Sequence, residues 1–328
     1  MCLKKTILAA AVLFSFAAFL NAAKPGFELP ATAVTAAQES AKAESAAAPE
    51  QGEHHGLPSA AVPVFQIGPL PVTNSMLVTW IVAVGLIVFA QVAMRKVQMV
   101  PSGLQNFWEW LLESLFGFVE GIIGRNLAKK TFWFFGTIFI FILFTNWFGL
   151  LPGIGTIGRG VETAHGFQVT TPFFRGGNAD LNMTAAMSAI FMLLWVVWSL
   201  QTVGVKGFFL ELFGPKGDST GFIKYMMIVV FFLVGFLEVI STAFRPVSLS
   251  FRLYGNIFAG ENLLEAMSTM IQHPPWAKAV FSALLPVPFY FLELLVGLVQ
   301  AFVFTLLTTV FTALMCAHEE EPGKEQTH

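Results

Sequence analysis

Glu238, Arg245, Arg252, Asn256, Glu261, Glu265, Glu293 and Gln300 stand in two stretches, 225–271 and 276–317, that are otherwise apolar enough to lie in a lipid bilayer. A guanidinium does not lose its proton in a protein, so Arg252 cannot escape the cost of burial by neutralising. Insertion scales put an arginine at the centre of a membrane helix at roughly +2.5 to +3.5 kcal/mol. Four carboxylates accompany it, and intramembrane carboxylates mark proton or ion pathways by default. Burial disfavours the charged form of a carboxyl, which lets such a group both take and give a proton. The chemistry implied is a row of titratable groups at different depths, interrupted by a permanent positive charge. That charge would repel a passing cation and hold a nearby carboxylate ionised.

Helical spacing arranges the row. Glu238 precedes Arg252 by fourteen residues, which returns it to within about 40° of the same face, roughly 21 Å along the axis. Asn256 lies one turn after Arg252 on its side, whereas Glu261, nine residues on, points the other way. Glu265 stacks over Glu261 at i+4, and Glu293 and Gln300 share a face one heptad apart. The small residues Ser248, Ser250, Gly255, Ala259 and Gly260 permit another helix to approach Arg252 closely. Leu249, Leu253 and Asn256 are the positions expected within its reach. Arg245, next to Pro246, either pairs with Glu238 or extends toward an interface, an accessory position like Glu265. The bland alternative is an Arg252–glutamate salt bridge internal to the chain, although buried pairs seldom offset their desolvation.

The elements that must hold this row are membrane helices. Hydrophobic residues make up 55% of the chain, charged ones only 12%, and the mean hydropathy is +0.70, which sets it apart from a soluble domain. Net charge is near zero and the basic residues are scattered, so no nucleic-acid surface is read. Cys2 and Cys316 lie at opposite ends, and His54-His55 has no further ligand in register, so no metal site is expected. Cofactors are not expected either. The membrane part also lacks any Ser/His nucleophile arrangement, which argues against an enzyme.

Residues 1–23 have the pattern of a secretory signal peptide: Lys4 and Lys5, an apolar run, then Ala22 and Ala23. Residues 24–70, rich in Ala, Glu, Pro and Gly, are expected to be a flexible extracytoplasmic segment. A membrane domain spans 71–318, and 319–328 is an acidic cytoplasmic tail. Crossings are expected at 75–94, 131–151, 183–203, 225–271 and 276–317. At 103–124, Trp108, Leu111, Leu112, Leu115, Val119 and Ile122 recur at helical spacing beside Glu109, Glu113 and Glu120, the pattern of an interfacial amphipathic helix. Arg95, Lys96, Arg125, Lys129, Lys130, Lys206, Lys216, Lys224 and Lys324 then fall on one side, with only Arg159, Arg175 and Lys278 in the opposite loops between crossings. The positive-inside rule puts the N-terminus outside and the C-terminus in the cytoplasm. A 47-residue helix would be about 70 Å long against a hydrocarbon core of about 30 Å. Segment 225–271 is therefore either a hairpin of two helices or one broken, steeply tilted helix. Pro246, Pro286 and Pro288 mark places where breaks are expected.

The run Arg245-Pro-Val-Ser-Leu-Ser-Phe-Arg-Leu-Tyr-Gly-Asn-Ile-Phe-Ala-Gly-Glu261 resembles the arginine-bearing segment of subunit a of the bacterial F-type ATP synthases. Asn146-Trp-Phe-Gly-Leu-Leu-Pro152, Asp180-Leu-Asn-Met-Thr184 and Gln300-Ala-Phe-Val-Phe304 match the same family in the same order, and the resemblance covers about residues 75–317. It implies an all-α, polytopic inner-membrane protein whose last two helices are long, tilted and curved along a rotor ring. It implies a non-catalytic stator that couples proton or sodium flow to ATP synthesis through two offset half-channels. By position, Arg252 resembles the arginine facing the rotor carboxylate, and Asn256, Glu261 and Gln300 resemble polar residues of the extracytoplasmic half-channel. Glu238 resembles the acid of the cytoplasmic one. Glu293 stands where some relatives carry histidine, and the familiar pairing of that site with position 260 is here glutamate with glycine. The implied partners are a ring of small two-helix subunits, each with a buried carboxylate, a peripheral stalk subunit and the lipid bilayer. The rival from another class is a self-contained ion transporter or channel. Such a protein usually shows internal repeats, and no convincing repeat relates 75–203 to 225–317.

Overall fold

The computed structural model describes residues 61–67, 70–163, 166–213, 222–270 and 275–316. The expectations for the signal peptide, for most of the flexible segment and for the acidic tail lie outside these residues. Two antiparallel strands open the described chain, β1 (Pro63–Ile67) and β2 (Leu70–Thr73). This corrects the far end of the segment read as flexible. Pro63, Val64, Phe65 and Ile67, then Leu70 and Val72, supply enough apolar and β-branched residues for a short hairpin.

Helix α1 (Asn74–Ala93) follows directly, its first turn capped by the Thr73 hydroxyl, which accepts from the Met76 N–H at 3.4 Å. Helix α2 (Leu104–Gly149) joins the expected amphipathic helix to the second crossing. Gly124 separates its two arms: φ is 74° and ψ 159°, a backbone state that a side chain would strongly disfavour. The first arm buries Trp108, Leu115 and Val119, on the apolar stripe expected for 103–124. Buried Gln105 fixes the incoming loop, accepting from the Gln98 N–H and donating to the Gln98 carbonyl, both at 3.1 Å. Glu120 on the first arm pairs with Arg125 on the second across the break, at 3.8 Å.

A second hairpin, β3 (Gly158–Thr163) with β4 (Gly166–Pro172), leads through residues 173–180 into α3 (Leu181–Thr202). Asp180 caps α3, accepting from the Asn182 N–H at 3.0 Å, and its other oxygen accepts from the Ser75 hydroxyl at 2.6 Å. One carboxylate thereby ties the starts of α1 and α3 together. Gly204, at φ 75°, turns the chain into the short α4 (Gly204–Phe213).

Helix α5 (Phe222–Thr269) runs unbroken through Pro246, so this crossing is one helix rather than a hairpin. A proline removes one intrahelical bond, a loss that neighbouring helices and Ser/Thr side chains can offset in membrane helices. Here the Ser250 hydroxyl donates to the Pro246 carbonyl at 2.7 Å. The segment read at 276–317 is divided into α6 (Pro275–Leu284) and α7 (Pro286–Cys316), with a break at Pro286, where one was expected, and none at Pro288. Leu285 precedes Pro286, and the ring of a proline disfavours helical geometry in the residue before it.

Five helices among the described residues are long and apolar enough to cross a membrane. Helix α2 packs against α1 and α7, α3 against α5, and α5 against α7. Aromatic rings fill the junction of α2 and α3. Phe134 stacks on Phe191 with ring centroids 6.3 Å apart and meets Trp198 edge-on at 5.8 Å. Such pairs stabilise a helix contact where lipid offers no hydrophobic driving force of its own. The chain is thus mostly helical and polytopic, as expected, with two hairpins that its composition did not announce.

Candidate functional site

Helix α5 presents two unlike faces over its middle turns. Leu249, Leu253, Ile257 and Leu264 are buried against the bundle. Ser241, Ser248, Arg252, Asn256 and Ala259 lie on an adjoining stripe, roughly 100° around the helix, and are exposed. Arg252 therefore points away from its own chain, with small residues a turn or two along the helix to either side. Among the described residues it makes no ion pair. Burial of Leu249 and Leu253 corrects the expectation that these two reach an approaching helix, whereas Asn256 is exposed. The reason is the angular step of the helix. One residue before or after the exposed stripe turns the side chain by about 100°.

The bundle face of α5 leads to a second group of polar residues. Glu261, half a helical turn around from Arg252, lines a small cleft with Glu293, Asn146, Gly149, Leu150 and Ile257. Its carboxylate is 3.6 Å from the guanidinium of Arg175, and the two side chains are only 14% and 4% exposed. Arg175 comes from the segment between β4 and α3, and its guanidinium also lies over the Phe258 ring, 5.6 Å from the centroid. Two glycines make room for the carboxylate. A Cβ on Gly176 would lie 2.5 Å from a Glu261 oxygen, and one on Gly149 would lie 3.0 Å from the Gly176 Cα.

Glu293 on α7 is buried and fills the space that a side chain on Gly260 would take, since a Cβ there would overlap its carboxylate. The glycine-with-glutamate pairing noted in the sequence is thus a direct steric complement between α5 and α7. Gln300, buried two turns on, shares the inward face with Glu293, as expected from their heptad spacing. Asparagines join this region to α2. Asn146 donates to the Gly297 carbonyl at 3.0 Å and accepts from Asn178 at 2.6 Å, while Trp147 donates to the Leu294 carbonyl at 3.1 Å. Close packing at Gly297, where a Cβ would lie 3.1 Å from that of Asn146, lets the two backbones approach.

Farther along α5, Glu238 and Arg245 are half-buried and interact electrostatically across two turns. The Arg245 guanidinium is 4.6 Å from the Phe311 ring centroid and 5.9 Å from that of Trp195, whose indole N–H donates to the Phe311 carbonyl at 3.0 Å. Cation–π contact holds this arginine at the meeting of α3, α5 and α7. Glu265 is half-buried one turn beyond Glu261 and is not among the cleft-lining residues.

The fold therefore brings Glu261, Glu293 and Asn146 into one cleft, sets Arg252 and Asn256 on the outward face, and leaves Glu238 in a separate region with Arg245. Sequence reasoning missed Arg175, counted only as a loop charge, and the asparagines Asn146 and Asn178. The available signal for Arg175 was its place in Phe174-Arg-Gly-Gly-Asn178, where paired glycines permit a close backbone approach.

A family model described as ATP synthase A chain matches residues 76–313. The chain is 31% identical over 252 residues to ATP synthase subunit a of Moorella thermoacetica, an alignment covering 77% of this chain and 94% of that one. It is 32% identical over 248 residues to ATP synthase subunit a of Gloeobacter violaceus, covering 75% and 85%. With ATP synthase subunit a of Helicobacter pylori it shares 31% identity over 221 residues, 67% of this chain and 80% of the relative.

Proposed function

The chain belongs to the ATP synthase A chain family, and from that premise we propose that it offers ions two offset half-channels, separated by Arg252. As a member of that family it is a multi-pass subunit of the membrane sector and takes a stator role in ion-coupled ATP synthesis. In the proposed reading it is not itself catalytic. An ion enters through the cleft of Glu261 and Glu293, with Asn256 and Gln300 continuing the path, and neutralises a carboxylate on a rotor subunit. The ring turns, and the ion leaves past Glu238. Arg252 blocks a direct leak and draws the returning carboxylate into its ionised state. The ion is a proton, or sodium if the ring carboxylate selects it; ATP synthesis in vesicles with sodium varied at fixed pH separates the two. Each elementary charge moved down 100 mV releases about 2.3 kcal/mol.

The observation that supports this reading is the outward position of Arg252 on a small-residue face, opposite the cleft of Glu261 and Glu293. The rival reading, a self-contained transporter, came with a salt bridge between Arg252 and a glutamate of its own chain, and among the described residues Arg252 makes no ion pair. Glu261 instead pairs with Arg175. The ring of small subunits and the peripheral stalk remain the partners of the proposal, with the N-terminus outside and the C-terminus in the cytoplasm of a bacterial inner membrane.

Sidedness tests the arrangement. Cysteines introduced beside Glu238 are expected to react with impermeant thiol reagents added from the cytoplasmic side, and those beside Glu261 only from outside. Labelling of both regions from a single side would rule out two half-channels.

A further inference from the structure

Two carboxylates lining one small cleft repel each other when both are ionised, and neither Glu261 nor Glu293 is paired with the arginine that the motif made prominent. Asp180, another carboxylate near this end of the bundle, is occupied by the Ser75 hydroxyl and the Asn182 N–H. The cation supplied to the cleft comes from outside the helices, on the segment that follows the second hairpin. Arg175 is 5% exposed, sits 3.6 Å from Glu261, and rests on the Phe258 ring. Gly176 beside it could carry no side chain without striking the same carboxylate. The segment is therefore shaped around this ion pair.

We propose that Arg175 is the counter-cation of the cleft, a positioning residue that fixes the Glu261 carboxylate and offsets the second acid, Glu293. The proposal rests on the half-channel reading and deepens it. Two of the chain's arginines then have separate tasks: Arg252 faces the rotor, and Arg175 balances the entry cleft. When both acids are ionised, Arg175 leaves the three groups one net negative charge, enough to attract a cation without the full repulsion of two neighbouring carboxylates. Glu293, which has no such partner among the described residues, is then the acid of the cleft left to exchange the ion.

The test uses the assembled complex in membrane vesicles, with ATP synthesis driven by an imposed gradient and assembly followed by native gel. Arg175→Lys keeps the charge, while Arg175→Met keeps much of the volume without it. The expectation is that Arg175→Lys retains synthesis within about threefold of the parent, whereas Arg175→Met and Arg175→Gln lose roughly tenfold or more. Glu293→His removes one negative charge but leaves a titratable group. Combined with Arg175→Gln it is expected to restore synthesis or, where Arg175→Gln alone fails to assemble, to restore assembly. Arg175→Met working as well as Arg175→Lys would make the residue a plug and overturn the proposal. So would a double variant no better than Arg175→Gln. Failure of the half-channel reading shows elsewhere: it would leave Arg252→Lys active, whatever the Arg175 series does.

Discussion

Arg252→Lys is expected to abolish ATP synthesis in an assembled complex, with a fall of roughly a hundredfold or more, the scale seen when one preorganised charge-stabilising donor is removed. The substitution keeps a positive charge, so a loss cannot be assigned to charge alone. A guanidinium presents five donors in a rigid planar fork and stays protonated in apolar surroundings. An ammonium offers a single compact centre and shifts toward its neutral form when desolvated. Arg252 is exposed in the isolated chain, and the proposed rotor helix is what would desolvate it. The same geometry separates this residue from Arg245. That guanidinium is held by the rings of Phe311 and Trp195, so Arg245→Lys is expected to leave coupling largely intact.

Gly260→Val is expected to be the most damaging substitution within the cleft, because position 260 and Glu293 share one space. A Cβ there overlaps the Glu293 carboxylate, and a β-branched side chain adds two further methyl groups. Overpacking of this kind costs about 1–3 kcal/mol, and here the atoms struck first belong to the acid assigned to ion exchange. Synthesis is expected to fall about tenfold or more, while the amount of assembled subunit changes little. A Gly260→Val complex with parental synthesis would show that Glu293 does not need its present place.

The helices were legible because membrane segments announce themselves through length and continuous apolarity, and Gly124 separates the amphipathic arm from the crossing where the carboxylates end. The spacing of Arg252, Glu261, Glu293 and Gln300 also carried over, since helical periodicity fixes which residues share a face. What did not carry over depends on contacts between distant segments. Leu249 and Leu253 look like neighbours of Arg252 in sequence, yet their facing is decided by where α3 and α7 pack. Arg175 sits in a loop, where no periodicity exists to place it, and its role follows from the approach of residues 173–180 to α5. Pro246 and Pro286 carry the same local signal for a break. Only at Pro286 is the helix interrupted, which a local rule does not distinguish.

The claim at the centre is that the stripe of Ser248, Arg252, Asn256 and Ala259 faces a rotor helix. Disulfide trapping measures this directly, since the bond requires Cα atoms within about 7 Å. In a background without native cysteines, Ser248→Cys, Asn256→Cys and Ala259→Cys are each combined with a cysteine near the rotor carboxylate. Crosslinked product is expected from the outward positions, together with arrest of ion-driven rotation that reduction reverses. Leu249→Cys and Leu253→Cys, buried at 4% and 1% exposure, are expected to give little or none. Product from Leu253→Cys but from none of the three outward positions, in an intact complex, would contradict the account and turn Arg252 away from the ring.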